Sequence, residues 1–197
     1  MRPFTIFILL TALGATVFAQ EETLLTSDHE TGGFGGPVAK FTRINGQNAL
    51  MLGGRGGWIV DHSFVIGGGA YGVATEVDAA SNILPEQGPL NIDFSCFGLE
   101  VEYIFRPDSL VHLSLYALVG GGAVRFVKDR AQDTQVDETD LAFVFEPTAN
   151  AELNLTTWCR IMAGVSYRIV AGVTQIGLTN RDFTGPSASL TVKFGSF

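Results

Sequence analysis

The chain is poor in charge, and most of its charges are negative. Charged residues make up 16% of the 197 residues, against a usual share of about 25%. Twelve lysines and arginines stand against twenty aspartates and glutamates, which gives a formal net charge of −8. This balance argues against a nucleic-acid partner, which needs a basic surface. Disorder is also disfavoured, because disordered chains are poor in aromatics and this one has 15 phenylalanines.

Cysteine and metal-ligand patterns are scarce as well. The only two cysteines, Cys96 and Cys159, cannot build a disulfide scaffold. They fall on non-adjacent predicted strands and face opposite sides, where disulfide geometry is poor, so we expect two free thiols. The acidic segment 128–140 lacks the spacing of an EF-hand loop and is expected to be a solvated loop. The sequence therefore predicts no metal, no cofactor and no catalytic residues.

The first residues carry the pattern of a secretory signal peptide. Arg2 gives a positive start, an apolar run follows from Phe4 to Leu13, and Val17 and Ala19 are small residues before a cut at Gln20. This order of charge, apolar run and small residues is typical of secreted proteins. The alternative is a membrane anchor, but the run is short for a spanning helix. We expect a signal peptide at 1–19, a tether at 20–31 and one barrel domain at 32–197.

The rest of the chain alternates apolar and polar residues with a period of two, which predicts strands. The candidate for a spanning helix, 109–127, contains three consecutive glycines and two basic side chains, which disfavour a helix in lipid. The sequence therefore predicts an all-β fold of eight antiparallel strands, near 34–44, 48–60, 63–75, 91–105, 110–127, 141–154, 157–171 and 187–197.

The connections between these strands differ in length from one end of the sheet to the other. Tight turns are predicted at Asn45-Gly46, at Asp61-His62 and after Phe105, whereas 76–90, 128–140 and 174–186 are long and polar. Apart from the first hairpin, the long connections share one end and the tight turns the other. Short periplasmic turns, longer outer loops and an even strand count are typical of transmembrane barrels.

The sequence shows two faces on each strand but does not state which one is inside. A soluble barrel that binds an apolar ligand would bury the apolar face, and this alternative stays open. A transmembrane barrel would turn that face to lipid. Strands of ten or more residues suit a tilted bilayer crossing. Aromatic residues near the tight-turn end suit an interfacial girdle: Trp58, Tyr103, Phe105 and Trp158, the last of which falls on the charged face by parity.

The polar faces carry charges of both signs near the middle of the strands. Opposite charges in a narrow lumen are expected to pair, and an eight-stranded barrel is just wide enough to be filled by side chains. Glycines on both sides of Arg55 are expected to leave room for its side chain. Glu100 and Glu102 could also serve as an acid–base pair, but a salt-bridge network is favoured. Its predicted members are Arg55, Glu100, Glu102, Glu146, Glu152, Arg160, Arg168 and Lys193.

The final strand resembles that of bacterial outer-membrane proteins, because it ends in Phe197 after alternating apolar residues. In those proteins the terminal aromatic residue is the signal read by the barrel-assembly machinery, and the resemblance implies this role for Phe197. Since Phe197 is out of phase with Phe194, a bulge or frayed end is expected near Gly195. Size and loop layout resemble eight-stranded barrels of the OmpA/OmpX type. Segments 32–46 and 52–72 resemble uncharacterised outer-membrane barrels from Bacteroidetes-like bacteria.

One residue pair suggests an enzyme. His112 and Ser114 lie two apart on one strand, which resembles the outer-membrane lipid A deacylases. Leu115 stands where that family has asparagine, and parity turns the pair inward. The expected alternative is a lumen histidine bonded to Glu100 or Glu102.

The favoured function is therefore a small porin-like barrel in a Gram-negative outer membrane, with a plugged lumen and a structural or surface-interaction role. Its expected partners are outer-membrane lipid, the assembly machinery and an extracellular partner at the long loops. The alternatives are a lipid-modifying hydrolase and the secreted soluble barrel.

Overall fold

Alternating side chains fold the chain into eight strands that close on themselves. A computed structural model describes residues 30–80, 86, 88–128 and 139–197. Each strand pairs antiparallel with its neighbours in sequence, and β1 (Thr31–Ile44) pairs with β8 (Gly185–Ser196) to close the barrel. The predicted all-β, eight-stranded, up-and-down antiparallel barrel is confirmed.

The strand boundaries lie within three residues of the predicted ones. The predicted signal peptide, most of the tether and residues 129–138 lie outside the described residues. A helical turn, α1 (Asn180–Phe183), occurs in the last connection, where the sequence predicts only a polar loop. The remaining strands are β2 (Gln47–Val60), β3 (Phe64–Val73), β4 (Asn91–Phe105), β5 (Val111–Val127), β6 (Asp140–Asn154) and β7 (Cys159–Ala171).

Two of the tight turns follow directly from the residues that form them. Asn45 and Gly46 have φ values of 49° and 74°, and Asp61 and His62 have 50° and 56°. Two consecutive positive φ angles are the conformation that suits a two-residue hairpin. The first turn lies at the end with the long connections, which we call the loop end. The turns after Val60, Phe105 and Asn154, the start of β1 and the end of β8 lie at the opposite end, which we call the terminal end.

The apolar and polar faces are arranged inside out. On β4, Phe97 and Leu99 are 60% and 70% exposed, whereas Glu100 and Glu102 are 1% and 0% exposed. The same alternation occurs on β6, where Leu141 and Phe143 face outward. This arrangement is the reverse of the soluble-barrel alternative, which places apolar side chains in the interior.

The interior at the loop end is apolar, which the sequence does not predict. Side chains from the strands meet described residues of the first and last long connections, and Phe94 packs on Phe183 with ring centroids 5.0 Å apart. Val77 and Leu90 of the first connection and Leu178 and Phe183 of the last therefore lie in the mouth of the barrel. We call this group the apolar plug; it comprises Ile44, Met51, Val77, Leu90, Phe94, Phe126, Leu178 and Phe183.

Prolines interrupt the hydrogen-bonded ladder at two places. Pairing between β1 and β8 is absent at Pro37, and pairing between β6 and β7 is absent at Pro147. Proline has no N–H to donate to a neighbouring strand. The triple glycine at 120–122 has a different effect, since a Cβ at Gly120 would collide with the backbone carbonyl of Phe97. Gly120 therefore permits the close approach of β4 and β5 that a tightly curved wall requires.

Trp158 is 58% exposed and stacks on Phe194, with ring centroids 6.0 Å apart. Its predicted position on the charged face is wrong, because it lies in the turn before β7, where strand parity does not apply.

Cys96 and Cys159 are free, as predicted. Across the described ranges, no helix is long and apolar enough to cross a membrane.

The predicted bulge or frayed end near Gly195 is also not found. Regular pairing with β1 extends to Ser196. Phe197 turns inward at the terminal end and stacks on Phe34, with ring centroids 6.4 Å apart.

Candidate functional site

The middle of the barrel holds a layer of buried charges. Six of them form a continuous chain in which each side chain contacts one of opposite sign. Together with the pair Lys40–Glu146 they form what we call the ionic layer. From one end of this series of contacts to the other, the residues are Glu100, Arg55, Glu102, Lys193, Glu152 and Arg160.

Arg55 links the two carboxylates of β4. Its Nε donates to Glu100 Oε2 at 2.6 Å, and its Nη2 donates to Glu102 Oε2 at 3.0 Å. Both glutamates project from the same face of β4 because they are two residues apart. Their carboxylates are therefore held by one guanidinium, and this arrangement does not provide the unpaired acid and base of a glycosidase.

Lys193 continues the chain across the lumen. Its Nζ lies 3.1 Å from Glu102 Oε1 and 2.8 Å from Glu152 Oε2. Glu152 Oε1 accepts a hydrogen bond of 3.3 Å from Arg160 Nη1. The contacts join β4, β8, β6 and β7, so a single network crosses the barrel.

Lys40 and Glu146 form a second pair, 3.0 Å apart, and Ser166 donates to the same carboxylate oxygen at 2.7 Å. Lys40 Nζ also lies 3.7 Å from the centroid of the Tyr71 ring. The Tyr71 hydroxyl in turn donates to Glu100 Oε1. Tyr71 therefore connects the second pair to the chain of six charges.

Aromatic rings surround the cations of the layer. Arg55 lies over Tyr116 at 4.1 Å, Lys193 over Phe34 at 4.6 Å, and Arg160 over Phe197 at 4.1 Å from the ring centroids. A cation over an aromatic face is stabilised by about 0.5–2 kcal/mol, most strongly where water is excluded. Each of these three cations therefore has an attractive contact with a ring in addition to its contact with a carboxylate.

Seven of the eight predicted network residues contact a partner of opposite charge, and Arg168 does not. Arg168 donates to the carbonyl of Phe183 at 2.8 Å and to Thr42 Oγ1 at 3.2 Å, and its described partners include no carboxylate within 4 Å. Its expected ion pair is therefore replaced by contacts that join the wall to α1. Glu146 contacts Lys40 instead, a residue outside the predicted network. The available signal was its place between inward-facing Val38 and Thr42 on β1.

The space around Arg55 comes from neighbouring strands. The sequence predicts that the glycines adjacent to Arg55 on β2 provide this space. In the barrel, Arg55 stands directly opposite Gly36 of β1 and Gly69 of β3. A Cβ at Gly69 would meet the Tyr71 hydroxyl and the Glu100 carboxylate, so the absence of a side chain there is what leaves room for the network.

His112 and Ser114 both point inward but have separate partners. His112 Nε2 lies 3.7 Å from Glu152 Oε1, and its Nδ1 lies 3.1 Å from the carbonyl of Ser109. Ser114 Oγ accepts a hydrogen bond from Asn150 Nδ2 at 3.2 Å. The expected bond from His112 to Glu100 or Glu102 is wrong, because the register places Glu152 directly opposite His112. The pair does not form the nucleophile–base contact that a hydrolase requires.

The ionic layer fills the middle of the lumen with paired charges. Each of its carboxylates contacts a cation, and its side chains are almost completely buried. Buried ion pairs add little net stability, but loss of one partner is costly because it leaves an unpaired charge. The layer therefore constrains which side chains meet in the lumen. Among the described residues there is no cluster of three or more side chains that could hold a metal ion.

A closed barrel with eight antiparallel strands, charged inside and apolar outside, has the architecture found in small outer-membrane proteins. The chain is similar to Neisserial surface protein A, with 12% identity over 85% of this chain and 97% of the other and a TM-score of 0.52. This likeness shows the fold. The sequence matches no protein-family profile and no curated protein.

Two further solved structures show weaker similarity. Ail of Yersinia pestis, in complex with the heparin analogue sucrose octasulfate, has 13% identity over 85% of this chain and 98% of its own, with a TM-score of 0.46. The outer membrane protein OprG from Pseudomonas aeruginosa has 11% identity over 84% of this chain and 93% of its own, with a TM-score of 0.42.

Proposed function

We propose that this chain is an integral outer-membrane barrel with a plugged lumen and a structural or surface-interaction role. The observation that carries the proposal is the inverted distribution of side chains. In water, the exposed phenylalanines and leucines of β4 and β5 would form a contiguous apolar surface, which soluble monomers rarely present. In a bilayer the same surface contacts the acyl chains of lipids, so its apolar side chains are not exposed to water.

The strand lengths support the same proposal. The eight strands are 10 to 17 residues long, and a tilted strand needs about 9–11 residues to cross the hydrocarbon core. Aromatic side chains lie at the terminal end, where Tyr103 packs edge-on against Phe105 at 4.9 Å between centroids. Aromatic residues at the boundary of an apolar band are typical of transmembrane barrels.

The filled interior supports a role other than conduction. The apolar plug occupies the loop end, and the ionic layer occupies the middle of the lumen. We therefore assign the surface-interaction role to the loop end, where the connections 76–90, 128–140 and 174–186 would meet an extracellular partner. Phe197 stays the proposed signal for the barrel-assembly machinery, which would read it before the barrel closes.

Extraction and gel mobility together test this proposal. Expressed in a Gram-negative host, the protein should stay in washed membranes through carbonate and high salt, because its apolar surface is in lipid. It should also migrate faster on a denaturing gel when unboiled than when boiled, since a closed barrel resists detergent. Release by carbonate together with a single unshifted band would refute membrane insertion.

A further inference from the structure

Two grooves lie side by side on the outer surface of the barrel. The first has a volume of about 790 Å³ and follows β8 between Phe41 and Val165. The second has a volume of about 490 Å³ and follows β6 between Leu115 and Val165. We call them the β8 groove and the β6 groove. The ridge between them is formed by Val165 and Tyr167 of β7, which are 66% and 50% exposed.

The two grooves share one design. The β8 groove is floored by Pro186 and Ala188, and the β6 groove is floored by Pro147 and Ala149. Val165 stands opposite both Ala188 and Ala149 in the register, and Tyr167 stands opposite Pro186. A proline and an alanine thus lie on each side of a larger residue, and this local loss of side-chain volume creates the grooves.

The β8 groove changes character at the loop end. Its floor and walls are apolar in the middle of the barrel, but Arg43 and Asn48 line it where the strands meet the Asn45-Gly46 turn. Arg43 is exposed, and its Nη2 donates to the carbonyl of Gly46 at 2.9 Å. Within the described ranges its contacts include no carboxylate. An apolar channel that ends in a cation suits an amphiphile with an acyl chain and an anionic head group.

The spacing of the grooves favours a lipid with more than two chains. The floors lie on β8 and β6, two strand spacings apart, which is about 10 Å. Acyl chains in direct contact have carbon atoms about 4 Å apart, so chains in the two grooves are separated by the ridge. A lipid with several chains on one phosphorylated head group can occupy both grooves and still reach Arg43.

We propose that this double groove binds one phosphorylated, multi-acyl glycolipid of the lipid A type. Its chains straddle Val165 and Tyr167, and its phosphate contacts Arg43. This inference rests on the proposed function, because it places the loop end in the outer leaflet. It goes further by assigning a specific lipid to one side of the barrel.

Native mass spectrometry of the full barrel in detergent tests the inference. The sample is titrated with hexa-acylated lipid A, with phosphatidylglycerol and with phosphatidylcholine at equal concentrations. We expect one lipid A to be retained at concentrations where neither phospholipid is retained. Ala188→Leu, which fills the floor of the β8 groove, and Arg43→Gln, which removes the cation, should each weaken retention by at least about tenfold.

Matched variants control for general effects on the surface. Ala151→Leu adds the same volume at an outward alanine that is not among the residues lining either groove, and Arg181→Gln removes a cation from an exposed position on α1; both should retain lipid A like the parent. Equal retention of lipid A and phosphatidylglycerol would overturn the inference, and so would unchanged retention in Ala188→Leu. The heat-modifiable band of each sample separates the two claims. A folded band without lipid A preference refutes only the inference, whereas release of the parent protein by carbonate together with a single unshifted band refutes the proposed function.

Discussion

Replacing Glu102 by glutamine should lower the free energy of unfolding by about 3–5 kcal/mol. Glu102 is completely buried and contacts both Arg55 at 3.0 Å and Lys193 at 3.1 Å. Glutamine keeps the volume of the side chain but removes the negative charge that compensates two buried cations. A denaturant titration of the barrel in detergent measures this loss of unfolding free energy, with the fraction of folded protein read from the heat-modifiable band.

Two further variants make this result specific. Glu76→Gln removes a carboxylate from an exposed position and should stay within about 0.5 kcal/mol of the parent. Combining Glu102→Gln with Lys193→Met should cost less than the sum of the two single changes, because the residues are in direct contact. Additive losses, or a stable Glu102→Gln variant, would show that the ionic layer does not couple the strands as described.

Truncating Phe183 to alanine should cost about 3–5 kcal/mol. The side chain is fully buried in the apolar plug against Phe94, and the carbonyl of the same residue accepts the hydrogen bond from Arg168. Removing the ring leaves a cavity beneath α1 that the closed wall cannot collapse to fill. The same unfolding titration detects the change.

The control for Phe183 lies in the same connection. Ile176 is apolar but 58% exposed, so Ile176→Ala removes apolar atoms without opening a buried cavity. We expect its stability to match the parent within about 0.5 kcal/mol. If Phe183→Ala were equally harmless, the last connection would not be part of the folded plug.

The architecture could be predicted because each strand carries its own signal. The alternation on β4 and β6 marks two faces, and Asn45-Gly46 fixes a hairpin by its tolerance of positive φ. Trp158 shows where this reasoning stops, since parity is meaningful only inside a strand and this residue lies in a turn. The helical turn α1 was missed because it is too short to show a helical period.

Which lumen residues contact each other was harder to predict than which residues face the lumen. Charges on the inner face predict pairing, yet which residues meet depends on register and tilt. His112 contacts Glu152 and not the glutamates of β4 because β5 and β6 place those two residues opposite each other. Arg168 lies beside the apolar plug, which forms only when the last connection folds into the barrel mouth. Sequence periodicity contains no information about that long-range contact.

On the proposed function, the apolar faces of the strands meet lipid and the charged faces fill the lumen. Spin labels placed one at a time at positions 143, 144, 145, 148, 149, 150 and 151 of β6 test it most directly, in membranes and with Cys96 and Cys159 replaced by alanine. The odd positions should be accessible to oxygen dissolved in the bilayer, and the even positions should be shielded from it. Labels at even positions that meet oxygen, with odd positions protected, would contradict the account.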